Sequence, residues 1–283
     1  EAACLEVAGG CHPARFECDF QAQVAIASDG LECPLPPSHM EDLDATVAAM
    51  RLEHVVITSV NRDELRDGGA EIYADTIRSI RAAVSGCTVE VLVPDFKGDE
   101  TSLTTVLDAG PRVLGHNLET VERIHPEVRP GGRYWRSISF LGASKRIRPD
   151  ILTKTGIILG MGERGPEIRQ AMVDLREAGV DILTLGQYLR PSAQHIPVVR
   201  WVTPDEFACW KRVGEEELGF RHVEAGPLVR SSYHAEEQAL HLCDPEHDAD
   251  PEPAPEPEPA VPAAATADSG SKREARFRSF SAS

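Results

Sequence analysis

His54-Val-Val-Ile-Thr-Ser-Val-Asn-Arg-Asp-Glu-Leu-Arg-Asp-Gly-Gly-Ala-Glu71 opens on a continuous apolar run, Val55 to Ile57, of the kind a strand needs when both of its faces are covered. From Thr58 the chain turns polar, and Gly68-Gly69 closes the loop just before a helical pattern starts at Ala70. This is a strand end opening into a loop and then a helix. In parallel α/β architectures ligands bind at the carboxyl ends of the strands, so Thr58, Ser59, Asn61 and Arg62 stand where a ligand would be met.

The same unit recurs along the chain. Strands are expected at 54–60, 89–94, 112–115, 155–160, 181–185 and 222–225, after a short first one at 23–28. Helical patterns lie near 71–84, 101–108, 117–124, 134–146, 166–178 and 204–217, and Met40 to Met50 has helical spacing after Leu35-Pro-Pro37. Alternation with short connections predicts parallel strands joined by right-handed crossovers, hence an open or partial α/β barrel. Asp108-Ala-Gly110 and Glu177-Ala-Gly179 agree, because each puts Gly just past a helix, where a left-handed residue is needed.

With 283 residues and 41% hydrophobic content the chain can bury one sizeable core. No apolar run approaches the roughly 18 residues of a membrane-spanning helix, and the first residues carry no signal-peptide pattern; a start without Met reads as a fragment. The formal charge is −17, and residues 244–268 contribute eight acids with no Lys or Arg, so nucleic acid is not an expected partner. Three regions follow: a cysteine-bearing segment with a first strand (1–37), the barrel (38–240), and an acidic Pro/Glu/Ala-rich tail (241–283) expected to be disordered for want of apolar area.

Seven cysteines are present, four of them (Cys4, Cys11, Cys18, Cys33) within the first 33 residues. Cys4, Cys11 and Cys18 are separated by six residues each, in a segment too poor in apolar residues to fold alone. Clustered thiols without a secretory signal read as ligands of a metal or iron–sulfur cluster; ordinary thiols in a loop are the alternative. Cys87, before a strand, and Cys209, in a helical pattern, read as packed side chains.

Polar residues collect at the strand ends. Asp95, Asn117, Glu119, Glu163, Gln187 and Tyr188 form a rim suited to a ligand with a carboxylate, an amine and a sugar, and Ser59, Asn117, Lys154 and Gln187 are expected to face one mouth. Each has a plainer alternative: Asn117 as a helix N-cap, Gly160-Met-Gly162 as a turn. The basic residues of Arg129-Pro-Gly-Gly-Arg133-Tyr-Trp-Arg136 could meet a ligand carboxylate or pair with Glu127. Lys154 could form a Schiff base, which makes a lyase or aldolase the second enzyme class to weigh.

The runs Val55 to Ala70, Val91-Leu-Val-Pro-Asp-Phe-Lys-Gly98, His116-Asn-Leu-Glu-Thr-Val121, Thr153-Lys-Thr-Gly156, Leu183-Thr-Leu-Gly-Gln-Tyr-Leu-Arg-Pro-Ser192 and Gly226-Pro-Leu-Val-Arg-Ser-Ser-Tyr-His-Ala235 together resemble lipoyl synthase, a family of radical S-adenosylmethionine enzymes. The resemblance covers about residues 40–240 and implies a partial (β/α)₆ barrel. It implies insertion of two sulfur atoms into an octanoyl group carried on a lysine of lipoyl-carrier domains, such as E2 subunits of 2-oxoacid dehydrogenases or the glycine cleavage H protein. Ferredoxin or flavodoxin would be the electron donor, no membrane partner is implied, and the compartment would be cytoplasm, or mitochondrion or plastid in a eukaryote.

Two [4Fe-4S] clusters serve this chemistry in the family. Carried over, the auxiliary sulfur-donating cluster would be held by Cys4, Cys11, Cys18 and Ser232, although both cysteine gaps here are six residues where the family has four and five. The cluster that cleaves S-adenosylmethionine is held in the family by Cys-x₃-Cys-x₂-Cys after the first strand. No such motif occurs in this chain, which offers only Cys33 near that place. A sequence or gene-model defect, a non-catalytic barrel that still binds octanoylated carriers, and ligation rearranged through Cys33 remain open.

Overall fold

Among the described residues two short strands, β1 (Ala3–Glu6) and β2 (Ala22–Ala25), precede six that make the body of the sheet: β3 (His54–Ser59), β4 (Thr88–Leu92), β5 (Val113–Gly115), β6 (Leu152–Leu159), β7 (Ile182–Gln187) and β8 (His222–Gly226). The computed structural model describes residues 47–242, together with the backbone of β1 and β2. The chain divides into units 1–248 and 249–283, and every described residue lies in the first. Strands β3 to β8 are each parallel to the next and the order is β2-β1-β3-β4-β5-β6-β7-β8, so the sheet is open, in keeping with the expected partial barrel.

Helices α1 (Ala70–Ala83), α2 (Glu100–Asp108), α3 (Tyr134–Ile147), α4 (Gly165–Glu177) and α5 (Pro204–Arg212) return the chain between successive strands. Their boundaries have local causes. Asp99 caps α2 by accepting from Thr101 N and Ser102 N, and Thr203 caps α5, which carries Pro at its first position.

Strand side chains alternate between two faces, and the partition is clean. Val55, Ile57, Val89, Val91 and Leu114 pack outward with Ile77, Ile80, Leu103 and Phe140 of α1 to α3. Ile157, Leu159, Leu183, Leu185 and Val223 pack outward with Leu141, Ile168, Met172, Leu175 and Phe207. The alternate residues face the lumen, where Val113, Leu152 and Ile182 meet Ala239 and Leu242. A sixth helix, α6 (Ala235–His241), is therefore seated inside the partial barrel.

One expectation is corrected. Residues 117–124 are not a helix: Glu119 takes a left-handed φ of 72° and pairs as a parallel bridge with Ile157, which extends the sheet beyond β5, and only the single turn His125–Val128 is helical. The helix expected at 204–217 is present over that span, its last turn widened to a π-helix (Val213–Glu217), where Gly214 sits so close to Val223 and Met172 that a Cβ would collide. Of the strand expected at 23–28, residues 23–25 belong to β2, which among the described residues pairs with β1, and β1 runs antiparallel to β3. Of Met40 to Met50, residues 47–50 are helical and the earlier ones lie outside the described residues.

Candidate active site

Three loops meet at the carboxyl ends of β3 and β4. Asn61 to Gly68, Pro94 to Lys97 and Val128 to Arg136 enclose a cleft of about 710 Å³. The first is tied to α1 by Asp67, whose carboxylate accepts from Gly69 N at 3.0 Å and Glu71 N at 2.8 Å. Burial opposes that charge, and the backbone donors outweigh it and hold the acid below its usual range. The second loop is tightly wound, with Phe96, Lys97 and Gly98 all at positive φ (42°, 55° and 88°). Two consecutive non-glycine residues in that region store strain, which the buried Phe96 ring offsets by packing edge-on against Phe140 and lying against Gly68. Without a side chain at Gly68, the first two loops can touch.

The cleft is lined by one sheltered and one exposed ion pair. Arg136 Nε donates to Asp95 at 2.6 Å and Lys97 reaches Asp63 at 2.9 Å. Asp95 is largely buried, yet the Arg136 bond and the Lys97 N–H keep its carboxyl below the usual range. Arg129 donates at 2.8 Å to the Asn117 carbonyl, and none of the three arginines in this stretch pairs with Glu127 among the described residues. Beside Arg129, burial pushes the Glu119 carboxyl above its ordinary value, against the charge of Arg129 and a hydrogen bond from Asn117. Asn117 itself faces the lumen, its Oδ1 lying over Gly156, where a Cβ would crowd it at 3.0 Å.

Behind the mouth, His116 is neutral and structural. Its Nδ1 bonds to the Val93 carbonyl and its Nε2 to Ser137 Oγ, both at 2.9 Å, and burial, with Arg129 nearby, pulls its pKa down to about 4. A histidine that is depressed in the fold favours folding when neutral, so its contribution is fully present above the unfolded value near 6.5 and is lost as pH falls toward 4. The loss should reach about 3 kcal/mol and disappear in His116→Gln, as read by urea denaturation at several pH values.

The four residues expected at one mouth do not share it. Asn117 is there. Ser59 ends β3 but points at the helix layer, accepting from Tyr73 Oη and donating to the Val60 carbonyl, both at 2.9 Å. Gln187 ends β7, and its buried amide is spent on Val202 N, Tyr188 O and Arg200 O. Lys154 lies near the start of β6, not at its carboxyl end; it is 2% exposed, with Nζ 2.9 Å from Glu90 Oε1. Lys154 is thus held against Glu90 inside the barrel and does not line the cleft at the ends of β3 and β4. Glu163 and Tyr188 are likewise internal: Glu163 accepts from Gly160, Met161 and Gly162 N–H groups, and Tyr188 Oη donates to Ile196 O. Strand parity could have found the Ser59 orientation, since Ser59 alternates with Thr58, but nothing local shows that Gln187 has an internal partner at Val202.

Ser232 lies in a turn after β8. Gly186, near the carboxyl end of β7, has no Cβ to strike the Val229 carbonyl, so segment 229–234 crosses the sheet there. The Ser232 hydroxyl makes no hydrogen bond among the described residues, while its carbonyl accepts from Ala235 N. Cys4 is aligned with Thr58 in the register of β1 on β3; Cys11, Cys18 and Cys33 lie outside the described residues. Cys87 is buried, which raises its thiol pKa, and Cys209 is exposed on α5. Among the described residues no group of three or more His, Cys, Asp or Glu side chains suits a metal ion.

Comparison with known proteins agrees with the motifs at this cleft. The chain is 58% identical over 192 residues to the lipoyl synthase of Rubrobacter xylanophilus, covering 68% of this chain and 60% of that protein. It is 49% identical over 228 residues to that of Laribacter hongkongensis (80% and 72%) and 46% over 221 residues to that of Shouchella clausii (78% and 71%). The chain thus spans three-fifths of the Rubrobacter protein's length. No family model matches. Among solved structures, methylornithine synthase is similar with a TM-score of 0.43 and 14% identity, over 54% of this chain and 44% of that one. On identities of this size over most of its length, the chain belongs to the lipoyl synthase family.

Proposed function

We propose that this chain takes part in inserting two sulfur atoms into an octanoyl group borne on a lysine of a lipoyl-carrier domain. One observation carries the reading: residues 61–68 and 94–97, from two of the motifs that resemble lipoyl synthase, form one cleft with 128–136, and the 116–120 turn is tied to it through Arg129. S-adenosylmethionine and iron–sulfur clusters would supply the radical and the sulfur when bound. The chain's own part is positioning. Arg136 and Asp95 fix the cleft wall, and Arg129 ties the 116–120 turn to that wall. Glu119 sits on that turn beside Arg129 and Asn117, its carboxyl pushed above the ordinary range by burial, which favours the protonated form that can donate to a ligand. The Ser232 hydroxyl, uncommitted at the mouth, fits the role of an oxygen ligand to a cluster together with Cys4, Cys11 and Cys18. The cluster that cleaves S-adenosylmethionine has no matching donor set in this sequence, so no step is assigned to it.

The test has two arms. An octanoylated lysine peptide should bind more tightly than the same peptide unacylated, and equal binding would overturn the carrier reading. Anaerobic reconstitution should give about four irons and four sulfides per chain, falling by more than half in Cys11→Ala. Unchanged iron in that variant would remove the amino-terminal ligand set.

A non-catalytic chain that binds octanoylated carriers is the second reading, favoured by the missing Cys-x₃-Cys-x₂-Cys. It predicts the same peptide preference with no lipoylated product, even after such a loop is supplied.

A further inference from the structure

The cleft at the ends of β3 and β4 carries more cationic charge than its own walls use. Five of its lining residues are Arg or Lys and three are Asp. Those acids are engaged: Asp67 accepts from Gly69 N and Glu71 N, Asp95 from Arg136 Nε and Lys97 N, and Asp63 pairs with Lys97. Of the remaining cations, Arg62 pairs with Glu64 and Arg129 spends Nη1 on the Asn117 carbonyl. Arg66 also lines the cleft, is exposed, and makes no hydrogen bond or ion pair with its side chain among the described residues. Arg133, directly after the lining Gly132, is exposed and unpaired in the same way.

The surroundings add to this excess. Helices α1, α2 and α3 begin within or just after the three loops, so the positive ends of their dipoles lie at the cleft. Helix α3 has no acid in its first turn and no side-chain cap, and Arg133 is the residue at its cap position. In that turn Trp135 is 52% exposed, its indole N–H donated to Glu122 at 2.6 Å. The whole chain carries −17, but exposed charges beyond about 8 Å are largely screened at physiological salt, so a partner at the cleft meets the local excess. Arg129 and Arg136 are tied into the walls, where a small ligand would lie, whereas Arg66, Arg133 and Trp135 are exposed at the edge, within reach of a larger partner. Arg and Trp are also the side-chain types enriched where proteins meet.

We propose that Arg66 and Arg133 form a docking edge for acidic side chains flanking the octanoyl-bearing lysine of the carrier, so that the chain selects an acidic segment as well as an acyl group. The inference rests on the carrier reading above and names which carriers the cleft admits. A guanidinium with no partner inside the fold breaks no internal bond on docking, and a forked contact with a carboxylate fixes the orientation of the incoming segment. Charges at such a rim act chiefly on encounter and on salt dependence, which makes their part measurable apart from the acyl group.

Affinities are measured with the full chain for octanoyl-lysine peptides carrying Asp on both sides of the lysine, for the same peptides with Asn or Lys there, and for each without the octanoyl group. The Asp peptide should bind about tenfold more tightly than the Asn peptide at low salt, and the advantage should vanish near about 0.5 M NaCl. Arg66→Gln with Arg133→Gln should abolish that advantage, and Arg66→Glu with Arg133→Glu should turn the preference toward the Lys peptide. Both replacements should leave the ratio of octanoylated to bare Asn peptide unchanged. Equal affinity for the Asp and Asn peptides, with the octanoyl preference intact, would overturn the docking edge and leave the carrier reading standing. A preference for Asp that survives the charge reversal would also overturn it, since other cations would then hold the acids. Equal binding of octanoylated and bare peptides would strike the carrier reading itself and the inference with it.

Discussion

Given S-adenosylmethionine and a strong reductant, the chain as written is expected to yield no 5′-deoxyadenosine above background. Reductive cleavage of the sulfonium in this family needs a cluster held by three thiolates on one loop, so that one iron stays open to the cofactor. The seven cysteines stand at 4, 11, 18, 33, 87, 209 and 243, and no three of them follow that spacing. Cys87 is not available as a substitute: burial raises its thiol pKa, and it lies just before β4, at the end of the sheet opposite the cleft. Inserting a family-type Cys-x₃-Cys-x₂-Cys loop between Gly30 and Leu31 should restore cleavage from background to a measurable rate. Product from the unaltered chain would instead show that Cys33 and its neighbours hold a working cluster.

The second large effect concerns stability. Lys154→Met is expected to cost about 3–5 kcal/mol, because it leaves the Glu90 carboxylate buried without its main counter-charge. Burial by itself would push Glu90 toward its neutral form, and Lys154 together with His54 reverses this and holds the acid below its usual range. Replacing both partners, Glu90→Gln with Lys154→Met, should recover most of the loss, since a buried pair exchanged for neutral groups of similar volume is often near neutral. Urea denaturation midpoints of the two variants decide it. Equal destabilisation in single and double replacements would mean that the cost comes from lost packing rather than from the stranded charge.

These two results probe opposite ends of the barrel, and the difference shows in how readable each end was. The run His54 to Glu71 identifies strand, loop and helix directly, because a strand covered on both faces must be apolar throughout and a loop at its end need not be. The same logic placed β4, β6, β7 and β8 within a few residues. It failed at 117–124, where a helix-like spacing of Leu118 and Val121 was overridden by the bridge of Glu119 to Ile157. It also misread Ser59, Gln187 and Lys154 as lining one mouth. All three are polar residues on strands of the barrel, but each has a partner outside its own strand: Tyr73, Val202 and Glu90.

The sequence by itself determined the alternating parallel architecture, the motifs of the lipoyl synthase family and the absence of a Cys-x₃-Cys-x₂-Cys, because periodicity and spacing are local properties of the chain. Only the tertiary structure decided which polar side chains remain free for a ligand. Hydrogen bonds are saturable, so a glutamine or lysine that has met its partner inside the fold is withdrawn from chemistry, and that meeting depends on contacts outside its own strand. The seat of α6 in the lumen is of the same kind. Ala235, Ala239 and Leu242 make an ordinary apolar stripe in the sequence, and it is the open barrel, with Val113, Leu152 and Ile182 facing inward, that gives the stripe its place.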